Sequence, residues 1–338
     1  MDAIFIQILN GLDKGAAYAL IALGLTLAFG TLGIVNFAHG VLFMLGAFCA
    51  VSVNKILTIS HKVRDESVTF FEAYKEIPYL EIWWGDTGTA IIDYSVPISI
   101  IFTVPVMALI GISMERGLIR YFYKRTHAEQ ILVTFGLAIV VQEIVKHFYG
   151  ANPIPIGAPD VVAGSAAVGS FFGLNDSMVY PWWRLIYFIV SVIIIGGVFS
   201  FLKYTTYGMV VRAGMADRDT VGLLGINIQR RFTIVFALAA VVAGLAGAMY
   251  TPIVAPDYHM GMDFLVLSFV VVVVGGMGSL PGAVAAGFLL GILESFASMT
   301  EVKQIIPGID QIIIYLVAVA ILLLRPRGLM GRKGVMED

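Results

Sequence analysis

From Gly15 to Asn54 the chain carries no Asp, Glu, Lys or Arg. A run of that kind has no stable place on a water-facing surface, and it is about twice the roughly 20 residues that span a hydrocarbon core. It reads as two membrane crossings broken near Gly30-Thr31-Leu32-Gly33. Further apolar stretches run from about Tyr94 to Met114, Ile131 to Phe148, Leu185 to Leu202, Phe232 to Val254 and Ile312 to Leu324. A second charge-free stretch, between Asp263 and Glu294, is interrupted by Gly275-Gly276-Met277-Gly278-Ser279-Leu280-Pro281-Gly282. This pattern is expected of two short membrane segments joined by a tight turn. The chain is therefore expected to be an all-α polytopic membrane protein of about nine segments, eight and ten being the alternatives, forming one transmembrane domain over residues 1–338.

The composition agrees, with 59% hydrophobic residues against 13% charged in 338 residues and a mean hydropathy of +0.91. A formal charge of −2 provides no basic field for a nucleic-acid backbone. The single cysteine, Cys49, excludes an intramolecular disulfide framework and a cysteine-based zinc site. The opening Met1-Asp2-Ala3 lacks a basic n-region, so the first apolar stretch is expected to stay in the mature chain.

Short loops rich in Lys and Arg stay in the cytoplasm. Arg116, Arg120, Lys124 and Arg125 mark one such region; Lys203, Arg212, Arg218, Arg230 and Arg231 a second; Arg325, Arg327, Arg332 and Lys333 the tail. Gly150 to Trp183 and Tyr250 to Asp263 have neither residue and fall on the other side. This alternation places the C-terminus and both Gly-rich breaks inside and the N-terminus outside. Residues 58–93 are the polar exception and are expected outside, with Trp83 and Trp84 at the headgroup level. Phe70 to Glu76 suits a short amphipathic helix on the interface, although a solvated loop is the simpler state of so mixed a segment.

No Lys follows a Gly, so the Gly-Lys pair of a Walker A loop is missing and nucleotide hydrolysis is expected of another subunit. The histidines at 39, 61, 127, 147 and 259 lack the spacing of a helix-borne zinc protease, and neither a metal nor a cofactor is expected. Glu143 and Lys146 are expected to pair or snorkel near the outer end of their span, and Glu294 lies toward the outer end of its own. No chain of titratable groups suited to a proton relay is visible.

Asn36 and His39 follow the first break, which puts an amide and an imidazole near membrane depth. Unwound backbone there is tolerated only inside protein or beside a water-filled cavity. Either these residues line a substrate path, or they tie down the turn by bonding freed backbone carbonyls. Gly275, Gly276, Gly278 and Ser279 repeat the theme, and discontinuous segments in corresponding halves mark substrate paths in transporters. Close helix packing through small residues is the alternative. On the cytoplasmic side, residues 203–231 place Val211, Met215, Val221, Leu224 and Ile226 among charged residues, with Gly222 and Gly225 as helix ends. One or two amphipathic helices covered by a protein partner, or a solvated loop, fit that pattern.

Taken in order, five blocks resemble the branched-chain amino acid ABC transporter permeases of the LivH type. They are Tyr18-Ala19-Leu20-Ile21-Ala22-Leu23-Gly24, Asn36-Phe37-Ala38-His39-Gly40, Arg212-Ala213 through Leu223-Leu224-Gly225-Ile226-Asn227, Gly275 through Ala283, and Arg325 through Gly331. The resemblance implies a permease subunit of an ATP-driven importer in a bacterial inner membrane. Its partners would be a second permease chain, two cytoplasmic ATP-binding subunits and a periplasmic solute-binding protein. Arg212, Ala213, Asp217, Arg218, Leu224, Gly225 and Asn227 would then dock on the ATPase. Two departures stand out: Ala216-Asp217 where relatives often have Glu-Asp, and a long 58–93 loop. Related urea and short-amide permeases tend to have methionine at Phe37 and keep that solute class as the alternative. An ion-gradient-driven transporter and an intramembrane enzyme are rivals without the intramembrane carboxylate pairs or nucleophile they require.

Overall fold

The computed structural model describes residues 2–32, 36–64, 74–123, 125–171, 178–216, 221, 223 and 228–331. Among these, nine long apolar helices form one bundle: α1 Asp2–Leu32, α2 His39–Leu57, α3 Ser95–Gly117, α4 His127–Tyr149, α5 Trp182–Tyr204, α6 Ile228–Tyr250, α7 Met260–Gly275, α8 Leu280–Ala297 and α9 Ile309–Leu324. Seven are long and apolar enough to cross a bilayer, while α7 and α9 are shorter. At 1.5 Å per residue, the 16 residues of α7 and of α9 reach about 24 Å, less than a hydrocarbon core of about 30 Å.

α1 and α6 run through the centre, where Leu20, Leu23, Phe236 and Ala243 are fully buried. Lipid is as apolar as these side chains, so close packing rather than escape from water holds such helices together. α8 lies antiparallel along α1 on small residues; a Cβ at Gly291 would stand 2.4 Å from the Cα of Gly15. α3 runs antiparallel to α6, with Gly111 against Ala237 and Ala240, and Glu115 beside Thr233.

One end of the bundle collects the α3–α4, α5–α6 and α7–α8 connections together with the segment after α9, and most of the chain's Lys and Arg, 13 of 21, lie in or beside these connections in the sequence. We refer to it as the basic end. The opposite end carries the 58–93 segment, whose described parts are more ordered than a solvated loop. Strands β1 Ser60–Arg64 and β2 Tyr74–Pro78 pair antiparallel, Ser60 opposite Pro78, and two short helices, Tyr79–Trp84 and Asp86–Asp93, lead into α3. Tyr74 to Glu76 thus lies in a strand, neither the interfacial helix nor the solvated loop weighed from the sequence; residues 65–73 lie outside the described residues. The hairpin base is fixed by the Tyr79 N–H donating to Ile59 O at 2.9 Å and by Asn54 Nδ2 donating to Ser95 Oγ at 3.0 Å. A second small pair, β3 Ser165–Ala167 with β4 Val179–Pro181, precedes α5.

Several helices extend past the charge-free windows. α1 takes in Asp13 and Lys14, and α3 takes in Glu115. Each of these charged residues finds an ion-pair partner on another part of the chain or in the next turn, which is what allows the helix to continue.

Candidate translocation and coupling site

α2 begins in the middle of the bundle. His39 is fully buried, with its ring against Gly24 of α1, a position that also faces the carbonyl of Ala239, midway along α6. A Cβ at position 24 would lie 2.7 Å from Nε2, so only glycine leaves space for the imidazole. Neither ring nitrogen makes a hydrogen bond of good geometry, the Ile21 backbone lying close enough only for a loose contact, and Nδ2 of Asn36 has no partner. The other side of the Asn36 amide is engaged: Oδ1 accepts the Ala38 N–H at 3.0 Å, and Asn36 O accepts the His39 N–H at 3.2 Å. Asn36 therefore does brace the turn, through a backbone N–H and not through the freed carbonyls expected. The Phe37 N–H donates to Thr134 Oγ1 at 3.1 Å, tying the turn to α4. One helical turn beyond His39, Phe43 begins a ring cluster with Phe264 at 4.3 Å, which continues through Tyr250 to Tyr187.

The second break has the contacts of a turn and a cap. Gly276 (φ 102°) and Gly278 (φ 81°) take left-handed conformations, Ser279 Oγ accepts the Gly282 N–H at 3.2 Å, and Pro281 occupies the first turn of α8. The segment after α9 docks onto it. Leu329 N–H donates to Val274 O at 2.8 Å and Met330 N–H to Gly275 O at 3.0 Å, so two C-terminal carbonyls of α7 are satisfied from more than fifty residues away. A Cβ at Gly276 would lie 2.4 Å from the Gly331 N. Two blocks read separately in the sequence are one structural unit, and only their Gly-rich character hinted at it.

Of the residues expected to couple to an ATPase, Arg212 and Ala213 lie on a helix, Thr206–Ala216, between α5 and α6. Asp217, Arg218, Leu224, Gly225 and Asn227, and the helix ends expected at Gly222 and Gly225, lie outside the described residues. The apolar face of the helix is covered by the chain's own bundle, with Val211 buried in the main core; Val221 farther on is also buried. Met209, Arg212, Ala213 and Leu223 remain exposed.

Beside this helix lies a buried network that sequence reading missed. Glu115 is fully buried. Its carboxylate accepts from Arg120 Nε and Nη2, each at 3.3 Å, from Tyr123 OH at 2.6 Å and from Thr233 Oγ1 at 2.7 Å. Arg231, two residues before Thr233, lies 3.9 Å over the Tyr207 ring, and Phe232 meets Tyr123 edge-on. Gln130 Nε2 donates to Phe122 O and Arg125 O, and Thr134, one turn farther along α4, holds Phe37. These contacts run unbroken from the Thr206–Ala216 helix to the first break.

Charged groups also meet at the opposite end. Arg184 pairs with Asp13 at 3.4 Å and donates to Asn10 Oδ1 at 3.3 Å, while Lys14 pairs with Glu294 at 2.9 Å. Tyr18 donates its hydroxyl proton to Glu294 as well. The sequence showed no such grouping because the partners are up to 280 positions apart. Glu143 and Lys146 pair at 3.8 Å as expected, with Lys146 also over the Tyr258 ring. Among the described residues no three His, Cys, Asp or Glu side chains converge as metal ligands.

A sequence profile described as branched-chain amino acid transport system / permease component matches residues 7–322. The chain belongs to this permease family. Among its relatives, the high-affinity branched-chain amino acid transport system permease protein BraD of Pseudomonas aeruginosa is 29% identical over 97% of this chain and 96% of its own length. The corresponding LivH protein of Escherichia coli K12 is 26% identical over the same shares. A probable LivH of Methanocaldococcus jannaschii is 24% identical over 92% of this chain and 88% of its own. No solved structure matches the chain. The permease is thus a multi-pass membrane protein.

Proposed function

We propose that this permease is the membrane-spanning subunit of an ATP-driven importer carrying branched-chain amino acids across a bacterial inner membrane. The basic end faces the cytoplasm, a reading that the Lys and Arg gathered there support. A second related permease chain completes the pathway, two ATP-binding subunits bind at the basic end, and a periplasmic binding protein delivers the solute to the other. The chain itself hydrolyses nothing. Its relatives' names support the solute class.

The observation that carries the mechanism is the contact route from the Thr206–Ala216 helix to the break at Asn36. Arg212 and Ala213 on the exposed face, with Asp217, Arg218, Leu224, Gly225 and Asn227 beyond, receive the ATPase. Closure of the ATPase pair displaces this helix. Tyr207 then bears on Arg231, the adjacent Thr233 bears on Glu115, and the α3–α4 connection transmits the shift through Gln130 and Thr134 to Phe37. A buried, fully bonded network moves as a unit, since breaking one bond would strand a polar group in a low-dielectric interior. Asn36 and His39 line the path that this movement opens. Gly275, Gly276, Gly278 and Ser279 form the fixed turn against which α7 and α8 pivot, held by the docked tail.

Reconstitution of the permease with its partner chains in vesicles tests the proposal. Leucine accumulation is expected to depend on ATP and on the binding protein; accumulation by the permease alone under an ion gradient would overturn it. Double-mutant cycles pairing Arg212 with Thr233 and with Thr134 test the route, because additive effects on uptake would mean that no coupling passes along it.

A further inference from the structure

The two short helices that lead from the β1–β2 hairpin into α3 are an appendage of the bundle with little cover of their own. Gly85 (φ 53°) ends the first, Tyr79–Trp84, and turns the chain into the second, Asp86–Asp93. A Cβ at Gly88 would lie 1.9 Å from Leu80 O, so the two backbones touch and the pair moves as one unit. Tyr79 fastens it to β1, its ring 6.0 Å from that of His61. Apart from Gly88 no residue of the pair is buried. Trp83 and Trp84 are 68% and 60% exposed, with Tyr79 and Ile82 exposed beside them.

A contiguous apolar surface of this kind needs something to cover it, and its level in the molecule decides what. α2 ends at Leu57 and α3 begins at Ser95, and the Asn54–Ser95 hydrogen bond sets these two ends side by side. Ile56 and Ile59 at the exit of one span and Tyr94 at the entry to the other are exposed as well. The eight residues of the second helix, about 12 Å long, are nearly all that separates the Trp pair from the start of α3. The apolar surface therefore continues the lipid-facing surface of the spans into the headgroup layer, where Trp and Tyr are favoured. Charge then selects the lipid. Residues 76–115 contain no Lys or Arg, and Glu81, Asp86 and Asp93 make no ion pair among the described residues. Such a surface repels a net anionic headgroup, whereas carboxylates and indole faces both attract an ammonium. The hairpin differs, since Lys62, Arg64, Lys75 and Glu76 are exposed and belong in water. We propose that the helix pair 79–93 is a lipid-docking platform in the headgroup layer opposite the basic end, taking zwitterionic phospholipids that carry an ammonium group. Ile82, Trp83 and Trp84 enter the layer, Glu81 and Asp86 meet the ammonium groups, and the β1–β2 hairpin stands above them in water.

The experiment uses the full chain in vesicles, with Cys49→Ser as background, a bimane label on Ile82→Cys and, as the hairpin control, the same label on Arg64→Cys. The vesicles are either rich in phosphatidylethanolamine or made of phosphatidylglycerol alone, and both contain lipid brominated near the headgroup. With phosphatidylethanolamine the brominated lipid is expected to quench the Ile82→Cys label at least twofold and to leave the Arg64→Cys label nearly unchanged. In phosphatidylglycerol alone the quenching of the Ile82→Cys label should fall by half or more. Glu81→Lys combined with Asp86→Lys should reverse the order of the two lipids. Should Ile82→Cys fail to insert, Trp84→Cys reports on the same surface. Quenching of the Ile82→Cys label by aqueous iodide as strong as that of the Arg64→Cys label, with none by brominated lipid, places the pair in water and overturns the platform. Brominated-lipid quenching that disappears when the complete transporter is assembled makes a protein the cover and overturns it too. Equal quenching in both lipids, unmoved by the charge reversal, overturns the headgroup selection.

Discussion

Buried carboxylates occur at both ends of the bundle, but they are treated differently. At the basic end both oxygens of Glu115 are bonded, by Arg120, Tyr123 and Thr233. At the opposite end Asp13 is almost as buried, yet its Oδ1 has no partner, and Glu294 borders an open cavity. A satisfied network is costly to disturb and fixes geometry, whereas an incompletely satisfied one keeps bonding capacity in reserve. The first arrangement suits a part that transmits force, the second a part that accepts a solute.

Substitutions can break or sharpen this contrast. Glu115→Ala should have the largest effect, a loss of about 3 kcal/mol or more, because Arg120 and Thr233 lose their partner together; the unfolding midpoint in detergent should fall clearly. Gly276→Leu should cost about 2 kcal/mol by displacing the tail from α7, measured as faster tryptic cleavage at Arg327. Asp13→Asn should change stability by less than about 1 kcal/mol, since one oxygen is already unbonded and the neutral amide is cheaper to bury. An effect as large as that of Glu115→Ala would erase the distinction. Arg212→Glu, on an exposed face, should stay within about 0.5 kcal/mol of the parent in unfolding while lowering ATP-driven leucine uptake at least tenfold, which separates the surface of the basic end from its interior.

The spans were legible because hydrophobic runs of the required length are a local signal. The second Gly-rich break was legible because turns need residues such as Gly276 and Gly278 that adopt positive φ; at the first, α1 continues through Gly30 to Leu32, and Gly33 lies outside the described residues. What the sequence concealed was pairing at a distance. Lys14 gives no sign that it belongs with Glu294, nor Glu115 that it belongs with Thr233, because side-chain periodicity describes one helix at a time. The β1–β2 hairpin was missed because its strands show no alternation: Lys62, Arg64 and Glu76 all face water and no buried side sets a period. The Thr206–Ala216 helix was legible as amphipathic, but not that the chain's own core would cover it. Asn36 was correctly placed at a break, and its bond to Ala38 follows from the short reach of an asparagine amide.

The docked tail has a consequence for biosynthesis. The donors that complete the end of α7 belong to residues about 55 positions downstream, so at ribosomal speeds of about 5–20 residues per second that end waits roughly 3 to 11 s for them. During this interval α8 and α9 must already have entered the bilayer. The last step of folding is therefore a latch at the basic end of the bundle, thrown only after the helices preceding it have been threaded.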